Sequence, residues 1–326
     1  MPVPLPFLSG FLYRQLLVTP PKPRSRFDGQ TIIVTGSNVG LGLEAGRHFG
    51  LLGAGRVILA VRDVKKGEAA KQSIDKSLRR VPSPVAVWRL DLSSYDSVIE
   101  FSERVCHELD RVDVVCENAG IATGRFRLTE GDESTITTNV VSTFLLALLI
   151  LPKLKETAQR FNTRPVLTVT SSEVHMFIHF QEKDEPRLFD ALSDTKKADM
   201  TTRYALSKLF QILVVREMAA RTGASFPVTI NCVNPGFCHS QLGREAGWYL
   251  YIMGLFLARS TEVGSRTVVA GAAAGPETHG KYMSESVVTE PGEFVTSRKG
   301  AEAQAKVWSE LTAKLEAIVP GVTRNL

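Results

Sequence analysis

Two spacings of apolar residues alternate along this chain. Short runs rich in β-branched residues stand at 31–36 (TIIVTG), 56–63 (RVILAVRD), 85–94 (VAVWRLDLSS), 112–120 (VDVVCENAG), 165–172 (PVLTVTSS) and 227–236 (PVTINCVNPG). Their apolar positions are nearly continuous, as in strands buried on both faces. Between them, apolar residues recur three and four apart, the spacing of one helix face. The helices predicted this way cover the end of 38–55, then 65–80, 95–109, 133–161 and 201–218. A last short strand is expected within 280–290 (GKYMSESVVTE), and 301–319 reads as an amphipathic closing helix. Strands alternating with helices predict one α/β domain, doubly wound, with a mainly parallel sheet and helices on both faces. We place it at 28–326, after an N-terminal extension at 1–27. In such a sheet, ligands sit at the carboxyl ends of the strands.

The extension begins MPVPLPFLSGFLYRQLLVTPPKPR. Its apolar part precedes its first basic residue, Arg14, the reverse of a signal peptide, and it is short for a membrane span. A short helix is expected there, with two roles open: packing on the body, or contact with a membrane surface.

Composition narrows the picture only a little. Of 326 residues, 44% are hydrophobic and 22% charged, enough to bury a core. The net charge of +5 comes without a dense basic block interleaved with aromatics, which argues against nucleic-acid binding. Cys106, Cys116, Cys232 and Cys238 show no zinc spacing, so no metal is expected, and they read as reduced thiols of a cytoplasmic protein.

The first strand runs directly into TGSNVGLG, with Gly36, Gly40 and Gly42. Glycines at a strand-to-helix turn let the backbone approach a pyrophosphate, and the helix that follows points its amides at it. The spacing is T-G-x-x-x-G-x-G rather than G-x-G-x-x-G. The second strand ends on Val61 and Arg62, where cofactors lacking the extra phosphate usually meet an acid. Arg62, with Lys66 beyond it, suits a phosphate and favours NADP(H) over NAD(H). Asp63 remains open as a ribose acid in a shifted register.

In the helix at 201–218, Leu206, Leu209, Phe210, Leu213 and Val214 form an apolar stripe. Tyr204 and Lys208 do not fit it. Four residues apart, they share a face, as a surface pair or as a chemical one.

These segments together carry a family resemblance. TGSNVGLG, ENAG (117–120), YALSK (204–208) and NPG (234–236) occur in the order of the short-chain dehydrogenase/reductase family, which the chain resembles over about 27–300. RSTEVGSRTVVAGAAA and GKYMSESVVTEP resemble its retinol-dehydrogenase-like branch, including fungal members of secondary-metabolite pathways. The resemblance implies a Rossmann fold, a nicotinamide cofactor, and an Asn-Ser-Tyr-Lys tetrad of Asn139, Ser172 (Ser171 the fallback), Tyr204 and Lys208. It implies cofactor contacts from Gly36, Ser37, Asn38, Gly40, Leu41 and Gly42 in the turn. Asp91 and Leu92 are implied at the adenine, Asn118 beside its ribose, and Ser240 at the carboxamide. Tyr204 and Lys208 are implied at the cofactor as well. Glu117 stands where Asn is usual. Pairing of the long helices that carry Asn139 and Tyr204 is implied as a homodimer.

In this reading Tyr204 is the acid or base, and Lys208 lowers its pKa. Ser172 hydrogen-bonds the substrate oxygen, and Asn139 holds a water leading to Lys208. His175 and His179 read as residues of a solvated loop. Two stretches are candidate substrate loops, 173–203 and 237–260. The second carries Trp248, Tyr249, Tyr251, Ile252, Met253, Leu255, Phe256 and Leu257. It would suit a lipophilic substrate, a peripheral membrane contact or an oligomer contact. The expected function is an NADP(H)-dependent oxidoreductase (EC 1.1.1.-) acting on a lipophilic carbonyl or alcohol. The rivals are a non-catalytic dinucleotide-sensing or scaffolding protein on the same fold, and related chemistry such as epimerisation.

Overall fold

A computed structural model of the chain describes residues 5–78, 81–239 and 257–326. Every predicted strand is present. In chain order they are β1 (Thr31–Thr35), β2 (Arg56–Val61), β3 (Val85–Arg89) and β4 (Val114–Glu117), then a small hairpin of β5 (Leu128–Thr129) and β6 (Asp132–Glu133). β7 (Val166–Thr170), β8 (Thr229–Asn234), β9 (Tyr282–Ser284) and β10 (Val287–Val288) follow. The main sheet runs β10-β9-β8-β7-β4-β1-β2-β3. All its pairings are parallel except β10 on β9. From β1 the chain winds one way through β2 and β3, then returns to lay β4 on the other side of β1. That reversal opens a crevice at the carboxyl ends of β1 and β4, where an α/β sheet binds ligands.

Alternation along the strands fills two cores. Ile33, Ile58, Val115, Leu167 and Val169 face one side, and Ile32, Val34, Val57, Leu59 and Cys116 the other. The first side is covered by α4 (Tyr95–Glu108), α5 (Ser134–Phe161), α7 (Arg203–Thr222) and α10 (Arg298–Ile318), the second by α2 (Gly40–Leu51), α3 (Val64–Leu78) and α8 (Thr261–Ala272); α6 (Leu188–Leu192) and α9 (Glu293–Thr296) are short helices in the connections. α5 is apolar and long enough to cross a bilayer by length and composition, yet 94% of its most apolar window is buried in the protein. It is the central helix of a core. Within it, Thr137–Val141 widens into one π-type turn, closed by Ser142 N donating to Thr137 O.

The N-terminal helix α1 (Leu5–Leu17) packs on the body through polar groups. The Gln15 side-chain amide donates to Phe237 O (2.7 Å) and Leu257 O (2.6 Å), and its oxygen accepts from Phe237 N (3.2 Å). Arg14 pairs with Glu173 at 3.2 Å. The buried Arg259 bonds the carbonyls of Arg14 and Val18 and pairs with Glu285. One end of the helix thus ties together the two chains flanking 238–256.

Candidate active site

The glycine turn is built for close approach. Gly36 and Gly40 have φ of +64° and +62°, the left-handed region that side chains disfavour. Gly42 does not need a positive φ. A Cβ there would lie 2.7 Å from both Gly36 O and Asn118 Nδ2, so the helix start is pressed onto the turn. Thr35 and Asn118 lace the crevice together: Asn118 N and Ala119 N both donate to Thr35 Oγ1, and Asn118 Nδ2 donates to Thr35 O. Ser37 is buried and donates to Val34 O (2.8 Å), so its hydroxyl proton serves the turn itself. Asn38 and Leu41 are partly exposed along it. α2 begins without a side-chain cap and without an acid in its first turn. Its first amides therefore keep their donors and the positive end of the helix dipole for an anion. This cradle, with no room for a Cβ at Gly36 or Gly42, fits the pyrophosphate of a dinucleotide.

At the end of β2, Asp63 accepts from Lys66 N (3.1 Å), and its carboxyl is held below the usual range by that bond first. It caps α3. Lys66 lies 3.7 Å from the same carboxylate. Arg62 is exposed and makes no ion pair or hydrogen bond among the described residues. Asp91 accepts from both the amide and the hydroxyl of Ser93, shaping the turn into α4, and Leu92 is buried beside it.

The tetrad positions converge from three elements. Asn139 lies in the wide turn of α5, Ser172 just past β7, and Tyr204 and Lys208 on α7. A Cβ on Gly120 would sit 3.1 Å from Asn139 Oδ1 and 3.7 Å from Lys208 Nζ, so both groups meet at the NAG turn. The Asn139 side chain is fully engaged: it accepts from Ile121 N (2.8 Å) and donates to Ile121 O (2.9 Å) and Ser207 Oγ (3.0 Å). Ser171 is buried and donates to Lys208 O (2.9 Å), while among the described residues the hydroxyl of the partly exposed Ser172 has only a long contact, from Val174 N (3.4 Å) to its Oγ. Of the two serines, Ser172 keeps a hydroxyl to offer. Lys208 Nζ lies 5.5 Å from the centre of the Tyr204 ring.

Desolvation raises the hydroxyl of the partly exposed Tyr204 above its ordinary value. Burial also lowers the Lys208 ammonium to about 7, and no nearby charge contributes. Between Asn139 and Lys208, where a water was expected, stands a protein group as well. The buried Gln211 side chain spans that gap, accepting from Lys208 Nζ (3.1 Å) and donating to Asn139 O (2.8 Å).

His175 is likewise no solvated-loop residue. It is buried, its Nδ1 lies 2.7 Å from Ser172 O, and its Nε2 accepts from Gly292 N (3.0 Å). Those partners fix the neutral tautomer with the proton on Nδ1, and burial lowers the ring to about 4. Asn234 adds to the same brace, its Oδ1 accepting from Glu173 N and Gly236 N. His175 and Asn234 thus hold the two ends of the peptide that joins Ser172 to Glu173. No spacing in the sequence marked His175. Gln211 had a faint signal, since positions 204, 208 and 211 form one polar row in an apolar helix. Of the candidate substrate segments, Leu188, Phe189, Ala191 and Leu192 are buried in the core, and the buried Arg203 anchors them by donating to Leu192 O. Ser240 and the aromatic run from Trp248 to Phe256 lie outside the described residues.

Residues 30–176 match the short chain dehydrogenase family. A short chain dehydrogenase/reductase of Cryptosporiopsis sp. is 50% identical over 324 residues, covering 97% of this chain and 99% of the relative. A short chain dehydrogenase of Emericella nidulans is 45% identical over 288 residues, covering 86% and 91%. Among solved structures, a Mycobacterium paratuberculosis protein superposes with a TM-score of 0.66 at 26% identity, over 90% of this chain and 95% of that one. An Escherichia coli short chain dehydrogenase complexed with NADPH superposes with a TM-score of 0.59 at 20% identity, over 81% and 99%, a likeness of fold.

Proposed function

We propose that this chain, which belongs to the short-chain dehydrogenase/reductase family, is an NADP(H)-dependent oxidoreductase. It moves a hydride between the nicotinamide and a carbonyl or alcohol carbon of a lipophilic small molecule. The observation that supports this reading is the glycine cradle with Asn139 and Lys208 meeting at Gly120, Tyr204 one helical turn from Lys208, and Ser172 next to the serine that bonds Lys208 O. A place in secondary-metabolite biosynthesis belongs to the same proposal, through the resemblance of the later segments to such members.

Gly36, Gly40 and Gly42 admit the pyrophosphate, and the uncapped start of α2 supplies amides to it. Arg62 takes the extra phosphate of NADP(H), a role left to it because Asp63 is committed to capping α3. Asp91, Leu92 and Asn118 border the adenosine end, and Ser240 serves the carboxamide. The bound cofactor supplies the hydride. Tyr204 holds the proton that the substrate oxygen gains on reduction or loses on oxidation. Protonated there, it can donate to an oxygen as negative charge builds on it. Ser172 donates to the same oxygen. Lys208, near neutrality in its pKa, gains or releases a proton beside Tyr204 at little cost. Asn139 braces Gly120 and Ile121, which keeps the mouth of the crevice in shape.

The test is Tyr204→Phe, which removes one oxygen. NADPH binding, followed by cofactor fluorescence, should change less than threefold, while turnover of any carbonyl accepted in an NADPH-oxidation screen should fall at least a hundredfold, the scale of general acid catalysis. Undiminished turnover would remove Tyr204 from its role. NADPH binding by the wild type with no turnover across a broad screen would favour the sensing function instead.

A further inference from the structure

The Lys208 ammonium has three donors. Thr170 O takes one at 2.7 Å and Gln211 Oε1 another at 3.1 Å. Gln211 is completely buried, and its amide nitrogen donates to Asn139 O at 2.8 Å. That carbonyl belongs to the wide turn of α5, where the helix ladder is locally rearranged. A single amide therefore links the one irregular turn of α5 to the lysine of α7. Both its ends are used, so its orientation is fixed.

We propose that Gln211 is a positioning residue that fixes Lys208 so that its third N–H alone is exchangeable toward the reacting groups. This rests on the reading of Lys208 as a cofactor-binding and proton-handling residue. A neutral amine retains two N–H donors, enough to keep both the Thr170 and Gln211 contacts. The proton that Lys208 gives up or takes on is then the third, and its loss rearranges nothing in the protein. A water in the same place could turn or leave. The amide cannot, because its nitrogen end is held by Asn139 O. The groups facing Lys208 support this. Tyr204 on the same helix is its titratable neighbour, whereas Asn139 from α5, Thr170 from β7 and Gly120 after β4 present neutral groups. Burial accounts for the low pKa of Lys208 with no charge contributing.

The experiment compares the wild type with Gln211→Glu and Gln211→Met, using NADPH as probe. Its dissociation constant is measured by fluorescence from pH 5.5 to 9.5. Titration of the NADPH phosphates is common to all three proteins and cancels between them. An acceptor favours the charged amine, a carboxylate more so and a thioether hardly at all. The pH midpoint of binding should therefore move up by at least one unit in Gln211→Glu and down by at least half a unit in Gln211→Met. If Gln211→Met does not fold, Gln211→Leu replaces it with the same expected direction. Unmoved midpoints, or shifts in the same direction, would overturn the assignment, since a purely structural amide would weaken both variants alike. Failure of all three proteins to bind NADPH at any pH would overturn the cofactor reading and this role with it. NADPH binding with pH-invariant affinity in all three would overturn the role alone.

Discussion

Replacing Glu117 by Gln should stabilise the protein by an amount that grows with pH. Glu117 ends β4, paired in register with Val169, and is 1% exposed. Neither carboxyl oxygen has a hydrogen-bond partner among the described residues. Burial raises its pKa well above the usual value, with no other cause. The folded protein thus keeps this carboxyl protonated where the unfolded chain ionises it. The stability is intact below the unfolded pKa of about 4.3, and it falls as pH rises from there toward the folded value. A one-proton difference between the states gives a slope of about 1.4 kcal/mol per pH unit. Two units of that slope come to about 3 kcal/mol, a large share of the roughly 5–15 kcal/mol that holds a domain together. Gln has the same shape and no ionisation, and it too leaves polar atoms unpaired, so the two proteins should be nearly equal near pH 4 and differ by about 1 kcal/mol already at pH 5. Urea unfolding of both at pH 5, 6, 7 and 8 measures the difference, and every other titrating group cancels in it. A difference in stability that stays constant with pH would show that Glu117 ionises freely or finds a partner, and the reasoning would fail.

Three further outcomes are expected. Arg62→Ala should weaken NADPH by ten- to a hundredfold, the worth of a charge-assisted bond of about 1.5–3 kcal/mol, while NADH changes less than threefold; equal losses would remove Arg62 from the extra phosphate. Gly42→Ala should force the start of α2 off Gly36 and Asn118, destabilising the fold by about 1–3 kcal/mol and weakening NADPH at least tenfold, read by thermal melting and cofactor titration. Gln15→Leu strands the amide and carbonyls at Phe237 and the carbonyl of Leu257. It should lower unfolding stability by about 1–3 kcal/mol with NADPH affinity kept within twofold, and a parallel loss of affinity would place α1 in the cofactor site.

By itself the sequence determined the architecture. Continuous apolar strands alternating with helices at amphipathic spacing admit few packings other than a parallel sheet between two helical layers, and each of the predicted strands is present. It also marked the crevice, because only glycine suits the φ of Gly36 and Gly40 and the crowding at Gly42, and such needs are written as residue types. Tyr204 and Lys208 were legible for a similar reason: polar residues interrupt an apolar stripe. The tertiary structure decided what depends on neighbours distant in the chain. It separated Ser172 from Ser171, because only the fold shows which hydroxyl is spent on α7. It took His175 out of a loop and set it beneath Ser172, committed Asp63 to a helix cap, and isolated the Glu117 carboxyl. It set the desolvation around Lys208, since that depends on how completely other elements surround a group, and no local spacing records it. Gln211 shows the division most clearly. Its place on the polar row of α7 is local, but its bonds reach Lys208 on its own helix and Asn139 on another, and only packing brings those two within the length of one amide.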